Sequence, residues 1–247
     1  MKIVNYLFLA LFIVSCTSDD SEASDIDNTN LLSTAISGSL FETSAVIACA
    51  ASDSLNTAVV KVYFFPEEDA TDFKLYETDF IDLDPNDFSN YKSVDINDTP
   101  LFDGTLRQYS RDSEIEKWFI VTYELENEIK ISNPIRGKNE MQPTIASSDV
   151  VVNQDQSLMP IFSWNSNFEA NNAIFFQVVT AANGTFLSGT YTFDTQFQYY
   201  NTSNVVLNIT EGTPPTLIPG ADYNFTLMDV SVDNWVNEIN IIGFTAE

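Results

Sequence analysis

Short apolar segments separated by turn-forming clusters run through most of the chain, and this pattern restricts it to an all-β fold. The segments are rich in Val, Ile, Phe and Tyr, and clusters of Asp, Asn, Pro and Ser lie between them. No stretch shows the longer apolar repeat of an amphipathic helix. Apolar residues make up 44% of the chain and charged residues 19%, which is sufficient for a packed core. We therefore predict a folded, all-β chain.

Fourteen segments are predicted as strands, seven before Pro143 and seven after it. The first seven are Thr43–Ala51, Ala58–Phe65, Asp72–Asp79, Lys92–Ile96, Gly104–Arg111, Lys117–Leu125 and Glu128–Asn133. The second seven are Val150–Gln154, Met159–Trp164, Ala173–Ala181, Thr185–Phe193, Asn204–Ile209, Asp222–Val230 and Val236–Phe244. Asn183-Gly184 between two of them predicts a hairpin with a type I′ turn.

The distribution of basic residues indicates a domain boundary near residue 140. All nine basic residues that follow Lys2 lie between Lys61 and Lys138. Residues 139–247 contain eleven acidic residues and no basic one. Because such a shift in composition is typical of a boundary, we predict two tandem β-sandwiches, residues 40–141 and residues 142–247.

The segment Leu217-Ile-Pro-Gly-Ala-Asp-Tyr223 resembles the fibronectin type III pattern, in which Leu-x-Pro-Gly leads into a strand that begins with Tyr. The resemblance implies a tyrosine corner, with the Tyr223 hydroxyl bonded to upstream backbone. It also implies that Trp164, at the end of an early strand, is the core tryptophan of a fibronectin type III-like sandwich.

The first half resembles an immunoglobulin-like sandwich. Val62–Pro66, Phe73–Tyr76 and Trp118–Tyr123 resemble its second, third and sixth strands. The Leu-x-Pro-Gly corner is missing here, and Trp118 stands where the corner tyrosine would be.

The first residues have the pattern of a secretory signal. Lys2 precedes an apolar run from Ile3 to Val14 that is too short to span a bilayer stably, and Ser15 and Cys16 follow it. Ile13-Val-Ser-Cys16 resembles a bacterial lipobox without its usual leucine. The resemblance implies that residues 1–15 are a lipoprotein signal peptide and that Cys16 is acylated, for example with palmitate, on its thiol and amine. An ordinary signal with an incidental Cys16, or a disulfide between Cys16 and Cys49, are the alternatives.

Residues 16–39 are predicted to be the lipidated cysteine and a flexible acidic tether, since Ser, Thr, Asp and Asn dominate them. Thr17-Ser-Asp-Asp-Ser-Glu22 resembles the export signal of Bacteroidetes surface lipoproteins. It implies an outer-membrane protein that faces outside, with the periplasmic face as the alternative. The whole chain resembles small surface lipoproteins of this group, many of which have no assigned activity.

The charge balance and the absence of histidine exclude several classes of function. Lys and Arg total 10 and Asp and Glu total 36, for a net charge of −26. Nucleic acid is therefore not an expected partner, because its binding depends on cations that meet phosphates. Without histidine, Ser-His-Asp and Cys-His nucleophiles and histidine zinc sites are impossible. We expect no cofactor, no metal and no catalytic residues.

Two segments could bind a ligand, although each has a structural interpretation that we prefer. Asp82-x-Asp84-x-Asn86 opens like a calcium loop, but Asp87 and Ser93 stand where an EF-hand needs Gly and Glu. We predict a helical turn capped by Asp84 instead. Phe193–Asn201 is the densest aromatic segment and suits a carbohydrate platform, with Tyr200 as its exposed member. The preferred interpretation is a core strand with Phe197 and Tyr199 pointing inward.

The predicted function is that of a non-enzymatic, lipid-anchored envelope protein that acts as a binding or spacer module for an unknown ligand. Its expected partners are the membrane, through the lipid, and a glycan or protein at the cell surface. The alternative is a glycan-binding accessory lipoprotein of a polysaccharide-uptake system. A hydrolase ranks third, because most acidic residues fall in clusters typical of solvated loops.

Overall fold

The computed structural model describes residues 28–168 and 171–247. The predicted signal peptide, Cys16 and the acidic segment 17–22 lie outside these residues. No helix within the described residues is long and apolar enough to cross a membrane.

The described chain begins with a short helical segment that corrects the predicted extent of the tether. A 3-10 turn, Asn28–Asn30, leads into the helix α1, Leu32–Ala35. Leu32 is fully buried against Tyr91 and Ile120. Residues 28–39 are therefore part of the fold rather than tether. The cause is the pair Leu32 and Ile36, four residues apart, which gives an otherwise polar stretch one apolar helical face.

Nine strands form two sheets in the first half. They are β1 (Leu40–Ser52), β2 (Val59–Phe65), β3 (Thr71–Thr78), β4 (Tyr91–Val94), β5 (Thr99–Leu101), β6 (Leu106–Asp112), β7 (Trp118–Leu125), β8 (Glu128–Ser132) and β9 (Ile135–Arg136). The outer sheet has the order β4-β3-β7-β8-β1, and β9 also pairs with β7. The inner sheet has the order β1-β2-β6-β5.

Strand β1 belongs to both of these sheets. Its first part pairs in parallel with β8, and its second part pairs antiparallel with β2. The change occurs at an irregularity between Thr43 and Val46, where Ser44 has a φ of 60°. An opening strand shared between two Greek-key sheets is typical of an immunoglobulin-like sandwich. In place of a corner tyrosine, Trp118 donates its indole N–H to the carbonyl of Ile81 at 2.8 Å.

Nine further strands form the second sandwich. They are β10 (Ile145–Ser147), β11 (Val151–Asn153), β12 (Ile161–Ser163), β13 (Asn172–Ala181), β14 (Phe186–Thr192), β15 (Gln196–Gln198), β16 (Val205–Asn208), β17 (Asp222–Ser231) and β18 (Val236–Thr245). A six-stranded sheet has the order β10-β18-β17-β13-β14-β16, and a three-stranded sheet has the order β11-β12-β15.

The tyrosine corner of the second sandwich is confirmed. The hydroxyl of Tyr223 accepts a hydrogen bond from the backbone N–H of Ile218 at 2.9 Å. The tryptophan assigned to the core is also confirmed, since Trp164 is buried and lies edge-on to Phe175 at 5.3 Å. The strand order and this corner make the second half a fibronectin type III-like sandwich.

The hairpin between β13 and β14 is confirmed, but the predicted type I′ turn is wrong. Gly184 has a positive φ of 91°, whereas Asn183 is not among the described residues with positive φ. The N–H of Gly184 bonds to the carbonyl of Ala181, and a register shift follows at Thr180. A three-residue loop that ends in a left-handed glycine and a bulge explains both observations.

The two sandwiches pack face to face, so that the described molecule is a stack of four sheets. Ile47 and Tyr63, on the inner sheet of the first sandwich, point toward the second sandwich. Phe176, Met228 and Val230, on the six-stranded sheet of the second sandwich, point toward the first. Alternate residues of the same strands fill the two internal cores. Four apolar layers therefore follow one another, from α1 on the outer face of the first sheet to the core beneath the three-stranded sheet.

One tryptophan of the second sandwich lies in the core of the first. Trp235, at the end of the β17–β18 turn, is 0% exposed and packs in the same cluster as Val46 and Phe119. Its indole N–H donates to the carbonyl of Gln142 at 2.9 Å. The preceding residue adds a second contact, because the carbonyl of Asn234 accepts the N–H of Ala50 at 3.0 Å.

Sheet pairing changes between Arg136, which ends β9, and Ile145, which begins β10 and pairs with β18. The division at residues 141 and 142 stays a prediction. The two halves are nevertheless joined by the Trp235 turn, and the ion pair of Lys138 with Asp233 at 2.8 Å lies beside it.

The tyrosine corner can be tested with Tyr223→Phe, which leaves the Ile218 N–H without its acceptor. We expect a loss of about 1–3 kcal/mol in the free energy of unfolding. The measurement is urea denaturation of the chain without its predicted signal, residues 17–247. Tyr200→Phe is the matched control, because the buried hydroxyl of Tyr200 has no hydrogen-bond partner among the described residues. Equal stability of the two variants would contradict the structural role of Tyr223.

The inserted tryptophan can be tested with Trp235→Ala in the same assay. We expect the free energy of unfolding to fall by about 3–5 kcal/mol, as for other large aromatic side chains truncated in a core. Phe193→Ala is the control, since Phe193 is 64% exposed and its loss should change stability by less than about 0.5 kcal/mol. A loss below about 1 kcal/mol for Trp235→Ala would mean that the inserted indole does not hold the two sandwiches together.

Candidate functional site

Asp229 and Glu238 are two buried carboxylates that face each other across strands β17 and β18. No other pair of buried carboxylates in the described part of the second sandwich is placed in this way. Asp229 accepts hydrogen bonds from Asn172 and Asn237, at 3.0 and 2.9 Å. Glu238 accepts them from Asn167 and Asn240, each at 3.0 Å. Amide donors thus replace water around both groups, so that each carboxylate is satisfied as an acceptor.

This network supports the turn that carries Trp235 rather than a reacting centre. Asn237 also accepts a hydrogen bond from the side chain of Gln142 at 2.7 Å, and the carbonyl of Gln142 binds the Trp235 indole. Neither Asp229 nor Glu238 lines the groove beside Phe193 or the cavity between the two sandwiches. A glycosidase needs its two carboxylates on either side of a substrate cleft, which this pair lacks.

Glu77, in the first sandwich, is a nearly buried carboxylate with two cations around it. Glu77 binds Arg111 at 2.8 and 2.9 Å and Lys117 at 2.6 Å. Burial alone would raise the pKa of Glu77, but the hydrogen bonds from these two cations outweigh it and hold the pKa below its usual range. A general acid requires the opposite shift, so the geometry gives Glu77 a role in joining β3 to β6.

The acidic segment around residue 84 forms a turn, as preferred, but its cap differs from the prediction. The Asp84 carboxylate accepts the N–H of Asn86 at 2.9 Å. The following 3-10 helix, Phe88–Asn90, is capped by Asp87, which accepts the N–H of Ser89 at 3.0 Å. Asp87 caps the helix because the carboxylate of Asp84 already accepts the N–H of Asn86 in the preceding turn. Among the described residues, no group of three Asp, Glu or Cys side chains is placed to hold a metal ion.

The aromatic segment is divided between the core and the surface. Phe197 and Tyr199 are buried, as the strand interpretation predicts, and the Tyr199 hydroxyl donates to the carbonyl of Pro215 at 2.8 Å. The prediction that Tyr200 is the exposed member is wrong, because a positive φ of 70° turns it against Tyr199, 4.7 Å away. Phe193, at the end of β14, is the exposed aromatic side chain.

Phe193 borders a shallow polar groove of about 530 Å³ at the end of the second sandwich. The other lining residues are Asp194, Thr195, Gln196, Gln198, Asn201, Ser203 and Asn204. Asn204 donates through its amide nitrogen to the backbone carbonyl of Gln196 at 2.8 Å, which fixes its oxygen as a free acceptor. An exposed ring beside amide and hydroxyl groups, with one carboxylate, is a surface that can stack on a sugar and bond its hydroxyls.

Cys49 lies on β1, at the interface between the sandwiches, and is a free thiol in the structure. Burial raises its pKa to about 12, so that it is protonated at neutral pH and a poor nucleophile. The predicted lipidation site, Cys16, is outside the described residues.

The fold places this chain among proteins built from immunoglobulin-like and fibronectin type III-like sandwiches. The sequence matches no protein-family model, and no curated protein matches it. Solved structures with some similarity include the chicken CNTN1 FN1-FN3 domains, with 12% identity, a TM-score of 0.31, and coverage of 85% of this chain and 68% of that one.

Two other solved structures match this chain with similarly low sequence identity and TM-score. The chicken interferon gamma receptor alpha chain has 11% identity and a TM-score of 0.25, with 81% of this chain and 96% of that chain covered. The glycoside hydrolase domain of Endo-D from Streptococcus pneumoniae R6 has 10% identity and a TM-score of 0.31, with 81% and 33% covered. The assignment of the fold therefore depends on the strand order and the tyrosine corner.

Proposed function

We propose that this chain is a non-enzymatic, lipid-anchored protein of the cell envelope that displays its two sandwiches as one binding module. The observation that carries the proposal is the insertion of Trp235 into the core of the first sandwich. Together with the apolar interface, it fixes the orientation of one sandwich on the other. A fixed orientation suits a composite binding surface.

The stacking favours a binding module over a spacer. A spacer gains reach when its domains are joined end to end. Here the sheets lie face to face, so that the second sandwich adds only two sheet layers to the first. A large apolar interface would serve no purpose in a linker, where exposed, hinged contacts are the usual arrangement.

The position of the groove supports display away from a membrane. The chain enters the fold through α1, which covers the outer face of the first sheet through Leu32 and Ile36. The groove at Phe193 is at the opposite end of the stack, beside the three-stranded sheet. Three sheet-to-sheet spacings of about 10 Å separate the two ends by about 30 Å. An anchor at Cys16, at the outer leaflet, would thus attach to the end of the stack that is opposite the groove.

The anchor can be tested with Cys16→Ala, which removes the thiol that lipidation requires. We expect the protein to leave the membrane fraction, or to accumulate as an uncleaved precursor. The measurements are detergent-phase partitioning and the mass of the N-terminal peptide. Cys49→Ala is the matched control, since it removes the chain's other cysteine and should leave the protein membrane-bound. If Cys16→Ala partitions and is processed like the unchanged protein, the anchor is wrong.

A second candidate function is glycan binding at the Phe193 groove. The exposed ring and the amide groups favour a neutral glycan, because the net charge of −26 would repel acidic polymers. A groove that binds a neutral glycan would also suit an accessory of a polysaccharide-uptake system.

Glycan binding can be tested with Phe193→Ala in the chain of residues 17–247. We expect an affinity about tenfold lower for whichever neutral glucan, mannan or xylan it binds, in affinity electrophoresis against soluble polymers. Phe80→Ala is the matched control, because Phe80 is exposed to the same extent on the first sandwich. Equal binding by both variants, or no binding to any neutral polymer, would exclude the groove as a glycan site.

A further inference from the structure

An apolar cavity of about 340 Å³ lies between the two sandwiches. Ile47, Cys49 and Tyr63 of the first sandwich form one wall, and Phe176 and Met228 of the second form the other. Tyr191 and Leu207 of the second sandwich also line it. The cavity shares no residue with the groove at Phe193.

The size of this cavity distinguishes it from ordinary packing defects. Protein interiors are close-packed and leave few spaces larger than a water molecule, whereas this cavity reaches solvent beside the exposed Leu207. A volume of about 340 Å³ is within the range of about 300–1,000 Å³ for small-molecule sites. The structure thus leaves a ligand-sized space within an interface that is otherwise apolar and tightly joined.

The lining defines the chemistry of an occupant. No Lys, Arg, Asp or Glu is among the lining residues. Tyr191 is only 8% exposed, its ring stacks on Phe176 at 4.4 Å, and its hydroxyl makes no hydrogen bond within the described residues. Tyr191 lines the cavity, and its hydroxyl is not one of the described buried polar atoms that lack a partner, so it is accessible from the cavity and can bond an occupant there.

The other polar groups of the lining are also neutral. Burial raises the pKa of the Tyr191 and Tyr63 hydroxyls above their usual value and that of the Cys49 thiol to about 12. All three groups are protonated at neutral pH and can donate a hydrogen bond but cannot balance a charge. A charged ligand would lose its hydration here without compensation.

We propose that the cavity binds a neutral, mainly apolar small molecule with an oxygen acceptor, such as the hydroxyl of a long-chain alcohol, that bonds the Tyr191 hydroxyl. This inference names a ligand class for the proposed binding module and so rests on a binding role for the two sandwiches. It depends neither on the anchor at Cys16 nor on the groove at Phe193.

The probe for this site is N-phenyl-1-naphthylamine, a neutral aromatic molecule whose fluorescence rises in apolar surroundings. It is titrated into the chain of residues 17–247, which lacks the predicted lipid, and then displaced with decan-1-ol or with decanoate. We expect saturable binding and displacement by the alcohol at concentrations about tenfold lower than those of the carboxylate. Absence of saturable binding, or equal displacement by both competitors, would overturn the proposal.

Two tryptophan substitutions on β16 locate the site. Leu207 lines the cavity and is 42% exposed, so that Leu207→Trp should fill the border of the cavity without disturbing a core. Val206, its 49% exposed neighbour, points to the other face and is the matched control. We expect about tenfold weaker probe binding for Leu207→Trp and a change below about twofold for Val206→Trp. Equal probe affinity in both variants would place the probe elsewhere and overturn the assignment.

Tyr191→Phe tests the hydrogen bond separately from the volume. We expect decan-1-ol to displace the probe several-fold less well, with the affinity for the probe itself unchanged, because the probe has no oxygen acceptor. If displacement by the alcohol is unaltered, the assigned role of the hydroxyl is wrong. Because this chain lacks Cys16 and keeps Phe193, none of these outcomes depends on whether the anchor or the glycan groove proves correct.

Discussion

The relation between the two sandwiches depends on the buried indole of Trp235 together with the apolar interface beside it. The turn that carries it belongs to the second sandwich, but the ring completes the core of the first. Exposing this ring would uncover a large apolar surface in both halves, because the neighbouring interface would open with it. The buried amides and carboxylates around Asp229 and Asn237 have a consistent explanation here, since they hold the base of that turn. A polar network this deep is tolerated because nearly every group has a partner.

Much of the fold could be predicted from the sequence, because its signals are local. Short apolar segments between turn-forming clusters predict fourteen strands that the structure contains, and the spacing from Leu217 to Tyr223 identifies the corner of the second sandwich. The strands that were missed are short, and Thr99–Leu101 contains a proline at the edge of a sheet, which weakens any propensity signal. The predicted type of the turn at Gly184 is wrong because an Asn-Gly pair occurs in several kinds of hairpin loop. Leu32 has polar neighbours, so that the sequence predicts a tether where the structure has a buried side chain.

The interface and the sites could not be predicted in the same way. Ile174–Val179 is apolar on both faces, and this pattern indicates a central strand without saying what covers each face. The sequence pattern of such a strand is the same whether a third sheet layer or a neighbouring sandwich covers its second face. The cavity exists because the side chains of two such faces do not fill the space between them. Its lining combines Phe176 and Tyr191 with residues more than one hundred positions away in the sequence. Tyr200 shows the same limit, since a positive φ turns it against the core, where it is partly buried.

The distribution of charge follows from this stacking. The cations of the described residues pair mostly within the first sandwich, and only the ion pair of Lys138 with Asp233 reaches the second. The second sandwich therefore carries its carboxylates without cations of its own and keeps them on exposed loops or within amide networks. Carboxylates placed at the interface would have lacked both water and a counter-ion, so the face shared by the two halves had to be apolar. An apolar shared face, in turn, is stable only when it stays closed, and the inserted indole keeps it closed. The same constraint explains why the space left in this face is lined by neutral groups.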